Sequence, residues 1–301
     1  MSVPLRRSLA IGLACSALFA GVAHAAGSIR AVGVENEYAN VISQIGGEYV
    51  QVRAIESNPN TDPHTFEASP AIAREMAAAQ LVVRNGLGYD TWAKKILAAN
   101  PSQARKVIVV QDLLGLPENT RNPHLWYKPE TMPKVAAAVA DALSSMMPEH
   151  RAYFAARVKR FDASLRPWYE GLAAFKKQYP NTPVAVTEPV ADYMLEAAGC
   201  EIKTPWSLQA AIMNGTDPAP QDVSKQNALL GQRQVKVFLY NQQVTDSLTQ
   251  SFLATAKQAK VPVVGVYETM PTGYDYQRWM MAELNALRAA VSKGTSTTVL
   301  H

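Results

Sequence analysis

The sequence predicts an α/β protein of two lobes, each a mainly parallel sheet covered by helices, with one long helix joining them. Two observations support this fold class. Short apolar runs rich in β-branched residues alternate with helical patterns in both halves of the chain, and residues 131–179, between the halves, contain no strand pattern. Alternation of strands and helices is typical of parallel sheets whose faces are covered by helices.

In the first half, four runs predict strands and two stretches predict helices. The strands fall at residues 29–34, 50–55, 81–83 and 106–110, and the helices at residues 71–79 and 91–99. The first of these helices has a clear start, because Ser69 is a favoured N-cap residue and Pro70 is favoured at the first helical position. This lobe is expected to span residues 26–147.

The second half repeats the scheme and is expected to form a lobe over residues 180–301. Strands are predicted at residues 183–186, 235–239 and 262–266, and helices at residues 190–198, 245–259 and 275–291.

Residues 148–179, between the lobes, predict one long helix. The apolar residues alternate in steps of four and three, which is one continuous helical stripe; they are Phe154, Val158, Phe161, Leu165, Trp168, Leu172, Phe175 and Tyr179. Such a helix would be about 48 Å long. A dimeric coiled coil would show the same stripe. A strut joining two lobes of a monomer is favoured, because both flanks carry complete α/β patterns.

The N-terminus predicts a secretory signal peptide over residues 1–25, and hence a periplasmic protein. Arg6 and Arg7 precede an apolar stretch at residues 9–22, and Ala23-His24-Ala25 fits the small-residue cleavage pattern. Export could follow the general secretory or the twin-arginine route. The formal net charge of the chain is only +4 and its basic residues are not clustered, so no nucleic-acid partner is expected.

Two histidines share a local pattern that suggests metal ligands. His64 lies in Asp62-Pro63-His64 and His124 in Asn122-Pro123-His124. Proline restricts the chain immediately before each imidazole, which lowers the entropy lost when the side chain is fixed. A single loop histidine is more often an ordinary surface residue, but two in matching contexts favour a metal site.

Two glutamates directly follow predicted strands. Glu188 comes after the strand at 183–186 and Glu268 after the strand at 262–266. Ligands of open α/β sheets bind beyond the carboxyl ends of the strands. The alternative is that both side chains are simply solvated. If they are not, His64, His124, Glu188 and Glu268 would form a four-ligand site in the cleft between the lobes.

Several motifs resemble the zinc- and manganese-binding solute-binding proteins of ABC importers, the TroA- and ZnuA-like family. Residues 32–38 resemble the opening strand and helix of that family, residues 58–67 its first-ligand motif, and residues 81–90 the strand and turn that follow. Residues 122–126 (NPHLW) resemble its second-ligand motif, with Asn in place of Asp, and residues 184–193 its third-ligand segment. The resemblance covers nearly all of the chain after the signal peptide, and the family joins its lobes by a long helix.

The chain departs from the family in two places. The histidine-rich loop found in many zinc importers is absent, since residues 115–121 contain no histidine. The Asp expected as fourth ligand within residues 266–273 is also missing. Glu268 is the nearest carboxylate, and Asp275 is the alternative.

The resemblance implies capture of one divalent transition-metal ion for the membrane permease of an ABC importer. A metalloenzyme, a periplasmic metal chaperone and an adhesin are alternatives, although the sequence has neither an H-E-x-x-H nor a G-x-S-x-G motif. Two imidazoles with two carboxylates favour Mn²⁺ or Fe²⁺ slightly over Zn²⁺. We expect a monomer without enzymatic activity.

Overall fold

The computed structural model describes residues 28–300, so the predicted signal peptide lies outside the described residues. Within them, no helix is both long and apolar enough to cross a membrane.

The first lobe contains a four-stranded parallel sheet with the order β2-β1-β3-β4. Its strands are β1 (Ile29–Glu35), β2 (Val50–Glu56), β3 (Leu81–Arg84) and β4 (Lys106–Val109). Its helices are α1 (Asn36–Gly46), α2 (Pro70–Ala78), α3 (Thr91–Ala99), the short α4 (Val110–Leu113) and α5 (Thr131–Met146). Ser69 caps α2 as expected, since its side chain accepts a hydrogen bond from the backbone N–H of Ile72.

The second lobe repeats this arrangement in a parallel sheet of order β6-β5-β7-β8. Its strands are β5 (Thr182–Val186), β6 (Cys200–Ile202), β7 (Val237–Asn241) and β8 (Val263–Val266). The helix between the lobes is α6 (Arg151–Gln178), and the helices of the second lobe are α7 (Asp192–Ala197), α8 (Trp206–Met213), α9 (Pro220–Gly231), α10 (Ser247–Gln258) and α11 (Tyr276–Lys293).

The predicted α/β fold class is confirmed, and all seven predicted strands are present within two residues of their expected bounds. Elements that the sequence did not predict include β6, α4, α8 and α9. Strand β6 has only three residues, too few for an alternating pattern to stand out. Helix α8 carries apolar residues on all sides, so it lacks the 3.6-residue periodicity by which a surface helix is detected.

Helix α6 (Arg151–Gln178) joins the lobes and runs without interruption through Pro167. A short 3₁₀ turn, Pro148–His150, precedes it. The apolar stripe is buried at Phe154, Phe161, Leu165, Trp168, Leu172 and Phe175. Because α1, α5 and α11 of the same chain pack against α6, these residues are already covered and are not free to form a dimeric coiled coil.

The two lobes share one hydrophobic core below the cleft. A single buried cluster extends from Ile42 and Trp126 of the first lobe through Phe161 of α6 to Trp279 of α11. Polar contacts cross the same boundary, since the Tyr276 hydroxyl donates to the Trp126 carbonyl at 2.7 Å. The carboxyl ends of both sheets therefore face each other across a fixed junction.

One buried carboxyl in this junction should make stability depend on pH. Burial raises the pKa of Glu283 to about 8, although hydrogen bonds from Trp279 and Tyr127 oppose the shift. In the unfolded chain the same group ionises near its ordinary pKa of 4.5. The folded protein therefore favours protonated Glu283. As the pH rises above 4.5, the unfolded chain gains stability by ionising this group, so the free energy of unfolding falls.

We expect metal-free protein to lose about 2–4 kcal/mol of unfolding free energy from this group between pH 5 and pH 8. Glu283→Gln should lose correspondingly less over that range in chelator-treated denaturant titrations. Because only the change in unfolding free energy with pH is compared, any pH-independent effect of the glutamine amide on stability cancels. Exposed Glu170→Gln on α6 is the control. Parallel pH profiles for wild type and Glu283→Gln would contradict the expectation.

Candidate metal centre

Three ionisable side chains converge where the two sheets face each other. The Nε2 atoms of His64 and His124 lie 3.2 Å and 3.1 Å from Oε2 of Glu268. The Tyr89 hydroxyl donates to the same oxygen at 2.9 Å. Among the residues that the structure describes, His64, His124 and Glu268 are the one group of three or more His, Cys, Asp or Glu side chains whose potential ligand atoms all lie within 4.8 Å of one another.

The first Pro-His loop holds His64 by a local turn. Asp62 precedes a 3₁₀ turn, Pro63–Thr65, and its Oδ1 accepts the backbone N–H of His64 at 2.8 Å. The Asp62 carbonyl also accepts the Thr65 hydroxyl at 2.9 Å. An Asx residue whose side chain accepts the N–H two residues later is a standard way of closing a turn. The loop thus presents the imidazole toward the second lobe.

The second loop uses the same device but adds a bond to the imidazole. Oδ1 of Asn122 accepts both the backbone N–H of His124, at 2.9 Å, and its Nδ1–H, at 2.8 Å. The amide orientation is set independently, because Nδ2 of Asn122 donates to the Pro189 carbonyl at 2.7 Å. Neutral His124 therefore carries its proton on Nδ1 and directs the lone pair of Nε2 toward Glu268.

Glu268 directly follows β8 and is held by neighbouring amides. Nδ2 of Asn241, at the end of β7, donates to its Oε1 at 2.6 Å. Its backbone N–H donates to the Gln243 side chain at 2.7 Å. The same Gln243 side chain donates to the Thr61 carbonyl of the first lobe at 2.7 Å. The Glu268 carboxylate is thereby fixed relative to the His64 loop.

Glu188 lies beside this group but outside it. It is buried, and both of its carboxyl oxygens are 3.4 Å from Nδ2 of Asn241. Asn241 therefore stands between the two glutamates that follow strands. Asp275 has a different position: it caps α11, accepting the backbone N–H of Arg278 at 2.8 Å, and its side chain is 42% exposed.

The charge of the site is concentrated on Glu268. Burial acts to raise its pKa, but the neighbouring imidazoles, above all the charge of His64, outweigh burial and lower the pKa well below its usual range. Burial lowers the pKa of His124, only partly offset by Glu268. For His64 the attraction of Glu268 exceeds the effect of burial, so its pKa is raised. Burial, and then the charge of Glu268, raise the pKa of Glu188.

Several buried acids around the site were not anticipated from the sequence. Glu35 and Glu56 end the paired strands β1 and β2, and Glu37 follows in α1. Burial raises the pKa of all three, to about 8 for Glu56, which accepts a hydrogen bond from Trp92. The rule that pointed to Glu188, a carboxyl at the end of a strand, applies equally to Glu35 and Glu56.

The geometry of the three converging side chains suits a divalent cation. Metal–nitrogen and metal–oxygen bonds of about 2.1 Å place neighbouring ligand atoms roughly 3.0–3.4 Å apart in octahedral or tetrahedral sites. The two separations between imidazole nitrogen and carboxylate oxygen, 3.1 and 3.2 Å, fall in that range. Nε2 of His64 has no hydrogen-bond partner of acceptable geometry, so its ring nitrogen is available.

Comparisons with known proteins agree with this fold. The family described as zinc-uptake complex component A, periplasmic (ZnuA), matches residues 35–290. The manganese-binding lipoprotein MntA of Bacillus subtilis is 22% identical over 242 residues, which is 76% of each chain.

Solved structures of other proteins share the fold. The periplasmic zinc-binding protein TroA of Treponema pallidum gives a TM-score of 0.74 at 18% identity, covering 89% of this chain and all of that one. The solute-binding protein FpvC of Pseudomonas aeruginosa, in complex with Mn²⁺, gives a TM-score of 0.73 at 19% identity, covering 88% and 99%. The chain therefore belongs to the ZnuA family of periplasmic metal-binding proteins, which are the solute-binding components of ABC importers and not enzymes.

Proposed function

We propose that His64, His124 and Glu268 bind one divalent transition-metal ion, with Glu188 completing the site, and that the chain delivers this ion to the membrane permease of an ABC importer. The observation that carries the proposal is the convergence of two imidazole nitrogens on one carboxylate oxygen, at 3.1 and 3.2 Å. Without a cation, this arrangement directs the lone pair of His124 at a negative charge. A bound cation replaces that repulsion with two favourable bonds.

Glu188 would join the site through a change in its protonation. The negative charge of Glu268 and burial favour the neutral carboxyl. A dication next to Glu268 reverses the local potential and favours the carboxylate. The Asn241 amide, which contacts both glutamates, would then hold two carboxylates on one ion. The two carboxylates would neutralise the divalent charge, and the two neutral imidazoles would complete a set of four ligands.

We propose Mn²⁺ or Fe²⁺ as the cargo in preference to Zn²⁺. Carboxylate oxygens suit the harder ions, whereas sites dominated by imidazole and thiolate suit zinc. Relatives are named for manganese and for zinc, and FpvC has been solved with both Mn²⁺ and Ni²⁺. We also propose that residues 1–25 direct the chain to the periplasm and that it acts there as a monomer.

The ligand set is tested by single alanine substitutions. His64→Ala, His124→Ala and Glu268→Ala should each weaken Mn²⁺ binding by about 100-fold or more in a competition titration. Removing only a residue that hydrogen-bonds to a metal ligand already costs about 10–100-fold, and each of these substitutions removes a ligand itself. Glu188→Ala should cost less, because this carboxyl must first lose a proton.

Two controls sharpen that test. His150→Ala should leave affinity unchanged, because His150 stacks on Tyr49 and lies outside the converging group. Asp275→Ala should reduce stability as a lost helix cap without affecting affinity. Loss of binding in Asp275→Ala together with retention in Glu268→Ala would refute the assignment.

Asn122 would act on metal binding by orienting His124 and not as a ligand, and substitutions at Asn122 test this role. Asn122→Ala removes the acceptor for Nδ1–H of His124 and leaves both imidazoles in place. We expect affinity for Mn²⁺ to fall about 10- to 100-fold. Asn122→Asp preserves the acceptor and should restore most of it. If Asn122→Ala binds as tightly as wild type, the bond to Nδ1 does not orient the ligand.

Binding should weaken as the pH falls, in two steps. His64 has a raised pKa and His124 a lowered one, so His64 is protonated first and a metal ion must displace that proton. Just below the pKa of His64, the apparent affinity should fall about tenfold per pH unit, and more steeply once His124 is also protonated. Titrations between pH 8 and pH 5 measure the slope, and His64→Ala should lose the first step. A flat profile would argue against ligation by histidine.

A further inference from the structure

A cavity of about 380 Å³ leads from the protein surface to His64. Loops of the first lobe form one wall and helix α8 of the second lobe forms the other. Its lining includes His64, Leu87, Tyr89, Arg121, Trp206 and Met213. The cavity therefore lies between the lobes, at the mouth of the metal centre.

His64 is the member of the converging group that solvent reaches. Its side chain is 20% exposed, whereas the side chains of His124 and Glu268 are fully buried. An ion that approaches through the cavity thus meets His64 before the other two groups. A contact that narrows the cavity therefore lies on this route to all three.

One contact spans the two walls of this cavity. The guanidinium carbon of Arg121, from the first lobe, lies 5.9 Å from the ring centroid of Trp206, the first residue of α8. Arg121 is exposed and Trp206 half-buried. Within residues 28–300 the Arg121 guanidinium has no carboxylate partner. The Arg121 guanidinium instead contacts the ring of Trp206, which belongs to the opposite lobe.

The physical character of this contact suits a gate. A guanidinium about 6 Å above an indole ring at an exposed site is attracted only weakly, so the contact breaks and re-forms readily. The positive charge of Arg121 also repels a divalent cation passing the same point. Neither side chain belongs to the converging group, so opening the contact leaves the ligand geometry unchanged.

We propose that Arg121 and Trp206 form a gate over His64 that sets the rate at which the metal ion enters and leaves. The proposal rests on the proposed function in that the ion binds at His64. A gate of this kind changes the association and dissociation rates together. The equilibrium affinity depends on the ligands and stays nearly constant.

The test is stopped-flow capture of Mn²⁺ by excess chelator from the loaded protein, with association measured separately. Arg121→Gln and Trp206→Leu should each raise both rates by about two- to fivefold, the range expected for one exposed cation–π contact. The dissociation constant should stay within about twofold of wild type. The double variant should match Arg121→Gln, because that substitution already breaks the contact and removes the charge, so that Trp206→Leu adds nothing further.

Lys128→Gln is the matched control. Lys128 makes a similar contact between the lobes, with its Nζ 5.2 Å from the Tyr193 ring centroid, but neither residue lines the cavity. The association and dissociation rates of Mn²⁺ in Lys128→Gln should equal those of wild type. Trp206→Leu separates stacking from charge, because it keeps the Arg121 cation; faster exchange in this variant supports the gate.

Wild-type rates in either cavity variant, additive effects in the double variant, or a tenfold change in affinity would overturn the gate. This failure is distinguishable from failure of the proposed function. If His64→Ala abolishes tight binding while Arg121→Gln exchanges like wild type, the metal site stands and the gate does not. If His64→Ala binds normally, the proposed function itself fails.

Discussion

The organisation of the candidate metal centre depends on one carboxylate oxygen. Oε2 of Glu268, in the second lobe, is approached at 2.9–3.2 Å by Tyr89, His124 and His64 of the first lobe. A buried charge is stable only when it is paired or hydrogen-bonded. The Tyr89 hydroxyl satisfies this oxygen in part, and a cation held by the two imidazoles would satisfy the rest, so this one oxygen is the point at which three loops of the first lobe meet the end of β8.

Side-chain amides carry much of the remaining alignment between the lobes. Asn122 reaches the Pro189 carbonyl, Gln243 reaches the Thr61 carbonyl, and Asn36 exchanges hydrogen bonds with the backbone of Met270. An amide can donate and accept at once without adding charge. These residues hold the ionisable groups in position while leaving their electrostatic balance to the carboxylates and the imidazoles.

The sequence was sufficient for the parts of the fold and site that depend on local patterns. Periodicity predicted seven of the eight strands and the long helix, and the Pro-His loops and strand ends singled out His64, His124 and Glu268. Tyr89 and Asn241 were missed, because their importance comes from contacts between segments up to 179 residues apart in the chain. The same holds for Glu188. Its position at the end of a strand could be predicted from the sequence, but its contact with the Asn241 amide could not.

The core that runs beneath the cleft has a consequence for folding. Trp126, Phe161, Trp168 and Trp279 come from both lobes and the helix between them, and all are buried in one cluster. Neither lobe encloses these rings by itself, so separating the lobes would expose large aromatic surfaces to water at a high free-energy cost. Although the topology divides the chain into two lobes, the lobes are therefore expected to unfold together, because each supplies part of the apolar surface that the other buries.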